Sequence, residues 1–177
     1  TIAIHTGYDK KNGNGEMAIP ISQTTAYAFR DSEHAANLFA LKELGAIYTR
    51  LNNPTTDILE QRYAQLENGA AAIATSSGAA AIFYAVANVA EAGDNVLISD
   101  KLYGGSVTLF HFTLKRFGIS VKVFNSDDAS NLEGLVDDKT KAIFFESLSN
   151  PQIAIPAIEK IVEVAKKHGI ITICDNT

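Results

Sequence analysis

The stretch Thr75-Ser76-Ser77-Gly78-Ala79-Ala80-Ala81 joins a short apolar segment to a longer, alanine-rich one. The apolar segment, residues 70–75, predicts a buried strand, and the segment that runs on to Ala90 predicts a helix that stops at Gly93. A turn of small residues at this place exposes backbone N–H groups at the positive end of a helix dipole, which suits a phosphate. Tight packing of a helix on a strand also requires small residues, so both interpretations stay open for this stretch alone.

Beyond this stretch, apolar segments alternate with helical patterns, and each apolar segment is continuous. This order predicts an α/β fold with a mostly parallel sheet that has helices on both faces. The predicted strands span residues 70–75, 96–99, 121–124, 142–146 and 170–174. The predicted helices span residues 31–44, 54–68, 78–90, 105–117, 132–136 and 156–167.

The first 45 residues lack the pattern of a separate domain, and we expect an amino-terminal arm and helix that contact a neighbouring subunit. Residues 10–15 are polar and rich in Gly and Asn, which predicts a loop. Asp31 is the expected cap of the first long helix, and Asn53 with Pro54 should start the next one. Residues 46–177 are predicted to form the first part of an α/β domain.

Composition narrows the function classes. The chain has 177 residues, of which 46% are hydrophobic, so it can bury a core. Its net charge is −5 with dispersed lysines and arginines, which indicates neither a nucleic-acid nor a membrane partner. We see no signal peptide and no apolar run long enough for a membrane span. The single Cys174 is interpreted as a buried thiol in a reducing cytoplasm, and the four histidines show no metal-ligand spacing.

Ligands of parallel α/β sheets bind beyond the carboxyl ends of the strands, so the residues that follow each strand are the candidates. Asp175 follows an apolar run, and a carboxylate there needs a partner because its desolvation is costly. Tyr103 can offer a ring face to a flat ligand. Taken singly, each of these residues is explained at least as well by a structural role as by a functional one. Asp175 could be a cap, Tyr103 part of the core and Asn150 part of an Asn-Pro turn. Together with the anion site near Gly78, they predict a site for a planar phosphorylated cofactor.

Eight short motifs, spread from end to end of the chain, match those of a known enzyme family and occur in that family's order. They are His5-Thr6-Gly7, Pro20-Ile21-Ser22-Gln23-Thr24-Thr25, Tyr48-Thr49-Arg50, Asn53-Pro54-Thr55, Ser76-Ser77-Gly78-Ala79-Ala80, Tyr103-Gly104-Gly105, Glu146-Ser147-Leu148-Ser149-Asn150-Pro151 and Asp175-Asn176-Thr177. The chain resembles the amino-terminal part of the pyridoxal-phosphate (PLP) enzymes of cysteine and methionine metabolism. The resemblance implies the aspartate-aminotransferase-like fold, fold type I. The family's Schiff-base lysine and substrate-carboxylate arginine lie downstream of the matched part, so we expect this chain alone to be inactive.

The resemblance implies two groups of phosphate ligands. Ser77, Gly78 and Ala79 would hold the cofactor phosphate within the subunit. The family usually has Met where this chain has Ala79, but the backbone N–H is the group that a phosphate needs. Tyr48 and Arg50 would reach the phosphate of the neighbouring subunit's cofactor.

Three further residues would contact the cofactor ring, again by resemblance. Tyr103 would stack on the pyridine ring and assist proton transfer at the substrate amine. Asn150 would lie near the phenolic oxygen. Asp175 would pair with the pyridine nitrogen and keep it protonated, which makes the ring an electron sink. Tyr103 and Asp175 are therefore the catalytic residues expected in this chain, with PLP as cofactor and no metal.

The implied activity is a γ-replacement in methionine biosynthesis, in which O-acetylhomoserine and sulfide give homocysteine and acetate. The sequence Tyr-Thr-Arg-Leu at residues 48–51 and the sequence of the arm most resemble the O-acetylhomoserine sulfhydrylase branch of the family. Cystathionine γ-synthase and methionine γ-lyase activities remain alternatives, although methionine γ-lyases typically have Cys where this chain has Gly105. A non-catalytic domain that binds a phosphorylated ligand or a partner subunit is the alternative of another class.

The resemblance also sets the expected partners. They are a small amino-acid substrate with sulfide or a thiol, and further copies of the same chain. Two copies would share active sites, and two such dimers would form a cytoplasmic homotetramer.

Overall fold

The computed structural model describes residues 1–9, 11 and 15–177, so most of the loop predicted for residues 10–15 lies outside the described residues. The chain divides into two compact units, Thr1–Ala74 and Thr75–Thr177. The domain boundary expected after residue 45 stays a prediction. None of the helices in the described ranges has both the length and the apolar character that crossing a bilayer requires.

The described part of the first unit contains the α-helices α1 (Ile2–His5), α2 (Ser32–Phe39) and α3 (Pro54–Leu66), joined by turns and irregular backbone. Both predicted caps are confirmed. Asp31 accepts the His34 N–H at 2.7 Å, and Asn53 accepts the Thr55 N–H at 2.9 Å. Helix α2 ends before the predicted Leu44, because the chain enters the left-handed region at Leu41 with a φ of 55°.

The second unit contains a parallel sheet. Its strands are β1 (Asn95–Ser99), β2 (Ser120–Phe124), β3 (Thr140–Glu146) and β4 (Ile171–Asp175). Its helices are α4 (Gly78–Ala87), α5 (Gly104–Thr108), α6 (Leu114–Arg116), α7 (Leu132–Leu135) and α8 (Ile158–His168). A π-helical turn, Leu109–Thr113, joins α5 to α6. The described strands lie side by side in the order β2-β1-β3-β4, and every pair is parallel, which confirms the predicted sheet.

Side chains of the central strands alternate between two buried cores, one on each face of the sheet. The core under α4 and the α5–α6 helix contains Val86, Val96, Ile98, Phe110, Leu114 and Phe144. The core under α7 and α8 contains Leu97, Leu132, Ile143, Phe145, Ile161 and Ala165. Because helices cover both faces, the strands can be apolar throughout, which explains why their sequences show no alternation.

The strand predicted at residues 70–75 is wrong. These residues form no strand with any described segment, and the Ile73 side chain is 84% exposed. A short apolar run becomes a strand only where a neighbouring strand satisfies its backbone hydrogen bonds. Here the N–H of Ala74 donates instead to the Glu60 carboxylate at 2.7 Å. The predicted burial of Cys174 is also wrong, since the residue is exposed on β4, at the edge of the described sheet.

A polar network lies at the amino-terminal ends of the strands. Buried Asn95 and Thr140 share a hydrogen bond of 2.9 Å, and Asn95 donates to the Asp137 carboxylate at 2.8 Å. The Lys122 ammonium donates to the same carboxylate at 2.7 Å. These bonds, first that from Lys122 and then that from Asn95, hold the pKa of Asp137 well below its ordinary value. The network stabilises the end of the sheet opposite to the candidate site.

Candidate functional site

A cavity of about 270 Å³ lies within the second unit, where β3 and β4 end. Small-molecule sites typically enclose roughly 300–1,000 Å³, so this cavity suits a compact ligand. The cavity is lined by five residues predicted for the site, and they are Gly78, Ala79, Tyr103, Asn150 and Asp175. The parallel sheet thus brings residues far apart in sequence to one edge, as predicted from the strand ends.

The start of α4 contributes backbone amides to the cavity. The hydroxyl of Ser77 caps the helix by accepting the Ala80 N–H at 3.1 Å, and its carbonyl accepts the Ala81 N–H at 3.0 Å. The N–H groups of Gly78 and Ala79 are left without an acceptor among the described residues. A Cβ atom at Gly78 would meet nothing within 4 Å, so the space beside these amides is open. The arrangement suits an anion, and Ser77 is absent from the lining because its side chain serves as the cap.

Asp175 ends β4 and is half-buried. Its Oδ1 atom accepts both the N–H and the hydroxyl of Thr177, at 3.0 and 2.6 Å. Its other carboxylate oxygen has no hydrogen bond from the described residues, which leaves an acceptor for a cation or an N–H group of a ligand. The carbonyl of Asp175 accepts the Ser147 N–H at 2.9 Å, which fixes the end of the strand.

Tyr103 stands at the start of α5, with 56% of its surface exposed. This exposure argues against a place in the core and leaves a ring face for a flat ligand. A Cβ atom at Gly105 would lie 2.5 Å from the Tyr103 ring atom Cε1. Glycine is therefore required at position 105 for the ring to keep this place.

Glu146 also lines the cavity, although the sequence patterns gave it no role. Its side chain is buried, with 5% of the residue exposed. One carboxylate oxygen accepts the Tyr103 N–H at 2.7 Å, and the other accepts the Asn150 N–H at 3.2 Å. The signal was present in the sequence, because Glu146 ends an apolar strand in the same way as Asp175 and needs partners for the same reason.

Tyr48 and Arg50 belong to the first unit. The Arg50 guanidinium lies 5.2 Å from the centroid of the Tyr48 ring, which is a cation–π contact. Tyr48 also forms an isolated antiparallel bridge with Ala26. The two side chains are therefore held next to each other, and their roles toward a neighbouring subunit stay predictions. Over the described ranges, no three His, Cys, Asp or Glu side chains cluster closely enough for a metal ion.

Comparison with protein families gives one match over the whole chain. The model of the family described as "Cys/Met metabolism PLP-dependent enzyme" matches residues 1–177. The homocysteine synthase of Schizosaccharomyces pombe is 46% identical over 177 residues, which are all of this chain and 41% of that protein. The O-acetyl-L-homoserine sulfhydrylase 1 of Thermus thermophilus is 46% identical over 178 residues, 42% of its length. The chain thus spans about two fifths of the curated relatives it matches.

Solved structures show the same likeness. A putative O-acetylhomoserine (thiol)-lyase from Campylobacter jejuni, with a pyridoxyl-lysine phosphate, is 54% identical with a TM-score of 0.95. The match covers 99% of this chain and 43% of that one. A cystathionine γ-lyase from Lactobacillus plantarum, in complex with L-serine, is 30% identical with a TM-score of 0.88, and the match covers 99% of this chain and 44% of that one. Both likenesses extend over the strands and loops that form the cavity.

The substitution Asp175→Asn tests the role of this carboxylate. In the complete protein loaded with PLP, we expect the fold to persist and kcat to fall roughly 10²-fold or more, because an amide cannot stabilise a protonated ring nitrogen. The measurement is steady-state turnover together with thermal unfolding.

Asp100→Asn is the matched control. Asp100 also follows a strand, but it accepts the Ser126 N–H and hydroxyl at 3.0 and 2.7 Å and does not line the cavity. We expect kcat of this variant within about twofold of wild type, since Asp100 is exposed and lies outside the cavity. Wild-type turnover in Asp175→Asn would show that the carboxylate only caps the end of β4.

Proposed function

The chain belongs to the family of PLP-dependent enzymes of cysteine and methionine metabolism, and from that membership we propose that the complete protein is an O-acetylhomoserine sulfhydrylase. The reaction is a γ-replacement that converts O-acetylhomoserine and sulfide, or a thiol, into homocysteine, or its thioether, and acetate. It is a transferase reaction of methionine biosynthesis. The observation that carries the proposal is the cavity in which Gly78, Ala79, Tyr103, Asn150 and Asp175 meet.

The names of the relatives favour this reaction within the family. Proteins named homocysteine synthase and O-acetyl-L-homoserine sulfhydrylase, from a yeast and a bacterium, are each 46% identical to the chain. The cystathionine γ-lyase is 30% identical. Cystathionine γ-synthase and methionine γ-lyase activities are the alternatives. The family match and the shaped cavity favour an enzyme over a non-catalytic domain that only binds a phosphorylated ligand or a partner.

The residues of the cavity fit PLP part by part. The unpaired amides of Gly78 and Ala79 would bind the phosphate, with the α4 dipole adding to the attraction. The exposed Tyr103 ring would cover one face of the pyridine. The free oxygen of Asp175 would hold the proton on the ring nitrogen, because a nearby negative charge raises the pKa of a cationic group. PLP, when bound, supplies an electron sink for the substrate α-carbon.

We propose further that two copies of the chain share their active sites. Helix α3 has no buried residue, and Leu59, Tyr63 and Leu66 are each about half exposed, at 47%, 57% and 48%. An apolar stripe of this kind on a helix favours a partner surface. Arg50 would bind the phosphate of the partner's cofactor, since its planar fork can contact two phosphate oxygens at once. Two such dimers would form the homotetramer. The single cysteine is typical of a protein in a reducing compartment and supports a cytoplasmic location.

Two assays on the purified complete protein test the reaction type. One measures homocysteine formation from O-acetylhomoserine and sulfide, and the other measures 2-oxobutanoate release from methionine alone. We expect the first rate to exceed the second at least roughly tenfold, which corresponds to about 1.4 kcal/mol in the barrier. Methionine γ-lyases typically have Cys where this chain has Gly105, which is the reason to expect replacement over elimination. Faster release of 2-oxobutanoate would contradict the assignment.

Complementation between two inactive variants tests the shared site. Arg50→Ala and Asp175→Ala are each expected to lose most activity in the complete protein. When the two are unfolded together and reassociate, one site of each mixed dimer combines an intact Asp175 with an intact Arg50 from the other copy. We therefore expect activity to return on mixing, up to roughly a quarter of wild type when half of the dimers are mixed.

Each variant taken alone through the same unfolding and reassociation is the control. Wild-type protein treated in the same way gives the yield of the procedure. If mixing restores nothing while the wild type recovers, Arg50 acts within its own subunit or is a solvated surface charge.

A further inference from the structure

We propose that Glu146 is a positioning residue that fixes Tyr103 and Asn150 relative to each other around the cofactor. Each of its two carboxylate oxygens accepts one backbone N–H, from Tyr103 at 2.7 Å and from Asn150 at 3.2 Å. The proposal rests on the proposed placement of PLP in the cavity. It does not depend on which amino-acid substrate the enzyme uses.

The two residues that Glu146 joins are on different loops. Tyr103 lies between β1 and α5, and Asn150 lies between β3 and α8. Among the described residues, the Tyr103 side chain has no hydrogen bond that would fix its ring. The place of the ring beside Gly105 therefore depends on where the Tyr103 backbone lies, and the Glu146 carboxylate accepts the N–H of that backbone. A shift of this carboxylate would move the ring platform and Asn150 together.

The frame that carries Glu146 is rigid. Glu146 ends β3, and in the parallel register it stands opposite Asp175 at the end of β4. The residues before it in β3, from Ala142 to Phe145, are at most 3% exposed and belong to the two cores. Because Glu146 stands on this rigid part of the sheet, it holds Tyr103 and Asn150 at a fixed distance from the Asp175 carboxylate, which is expected at the ring nitrogen.

A carboxylate is the group that this geometry requires. Glu146 is buried and has no ion-pair partner among the described residues, so its two N–H bonds replace the water it has lost. A glutamine of the same shape would keep one accepting oxygen and point an NH₂ donor at the other N–H. An aspartate would keep both oxygens but would be one methylene too short to reach both partners at once.

The experiment uses Glu146→Gln in the complete protein and compares it with Asp137→Asn. Asp137 also bridges several donors through its two carboxylate oxygens, but it lies at the opposite end of the sheet. Three quantities are measured: the dissociation constant of PLP, the visible circular dichroism of the cofactor per bound molecule, and the unfolding temperature of the apoprotein. Wild-type protein and Glu146→Asp are measured in parallel.

For Glu146→Gln we expect PLP to bind roughly tenfold more weakly, the size of about one hydrogen bond to a charged group. The visible dichroism per bound cofactor should fall at least by about half, since it reports how the ring sits against its protein contacts. Glu146→Asp should show a smaller change of the same kind. Asp137→Asn should lower only the unfolding temperature and leave both cofactor signals at the wild-type values.

A merely structural role predicts a different outcome. If Glu146→Gln unfolds earlier but binds PLP with wild-type affinity and dichroism, the proposal is overturned. If Glu146→Gln fails to fold, Glu146→Asp decides by the same two cofactor signals. A wrong assignment of the reaction would leave these results unchanged, because both cofactor signals are measured without substrate. A wrong placement of the cofactor would show as unchanged cofactor signals in Asp175→Asn as well.

Discussion

Two carboxylates side by side at the carboxyl ends of β3 and β4 are the constraint on which the site depends. Glu146 and Asp175 are partners in the parallel register, and both lie at least partly out of water. A carboxylate in such a place must accept hydrogen bonds or meet a cation. Both carboxylate oxygens of Glu146 accept a backbone N–H, from Tyr103 and from Asn150. Only one oxygen of Asp175 accepts hydrogen bonds, and both come from Thr177. The oxygen that remains on Asp175 is the acceptor that a protonated ring would complete.

The sheet explains why these groups can be held so closely. Its central strands are buried on both faces, so their ends have little freedom to move. The loops that follow β1, β3 and β4 and the first turn of α4 then converge at one edge, as parallel α/β sheets require. The cavity is a consequence of this topology, and its chemistry comes from the few polar residues placed at the ends of apolar strands.

The sequence alone predicts most of the strands, the helix caps and several residues of the site, because each is indicated by its immediate neighbours in the chain. The four strands agree with the predicted ones to within two residues, since each consists mostly of apolar residues. Asp31 and Asn53 are recognisable as caps from their own neighbours. Asp175 and Tyr103 are recognisable as candidates because they follow strands.

The failures have non-local causes. The run at residues 70–75 has strand composition, but pairing depends on a partner strand that its own sequence does not reveal. No role for Glu146 follows from the sequence because one of its two partners, the Tyr103 N–H, is on the loop after β1, which is distant along the chain. The end of α2 was misplaced because Leu41 takes a left-handed conformation for which leucine gives no signal. Tyr48 and Arg50 stay predictions, since their expected partner is on another subunit.

The central claim is that Asp175 keeps the ring nitrogen of the cofactor protonated. The most direct measurement is the ¹⁵N chemical shift of PLP labelled at this nitrogen and bound to the complete protein, recorded from pH 6 to 9. We expect a protonated pyridinium shift over the whole range, with loss of that shift in Asp175→Asn. A shift typical of an unprotonated pyridine nitrogen at neutral pH in the wild-type protein would contradict it.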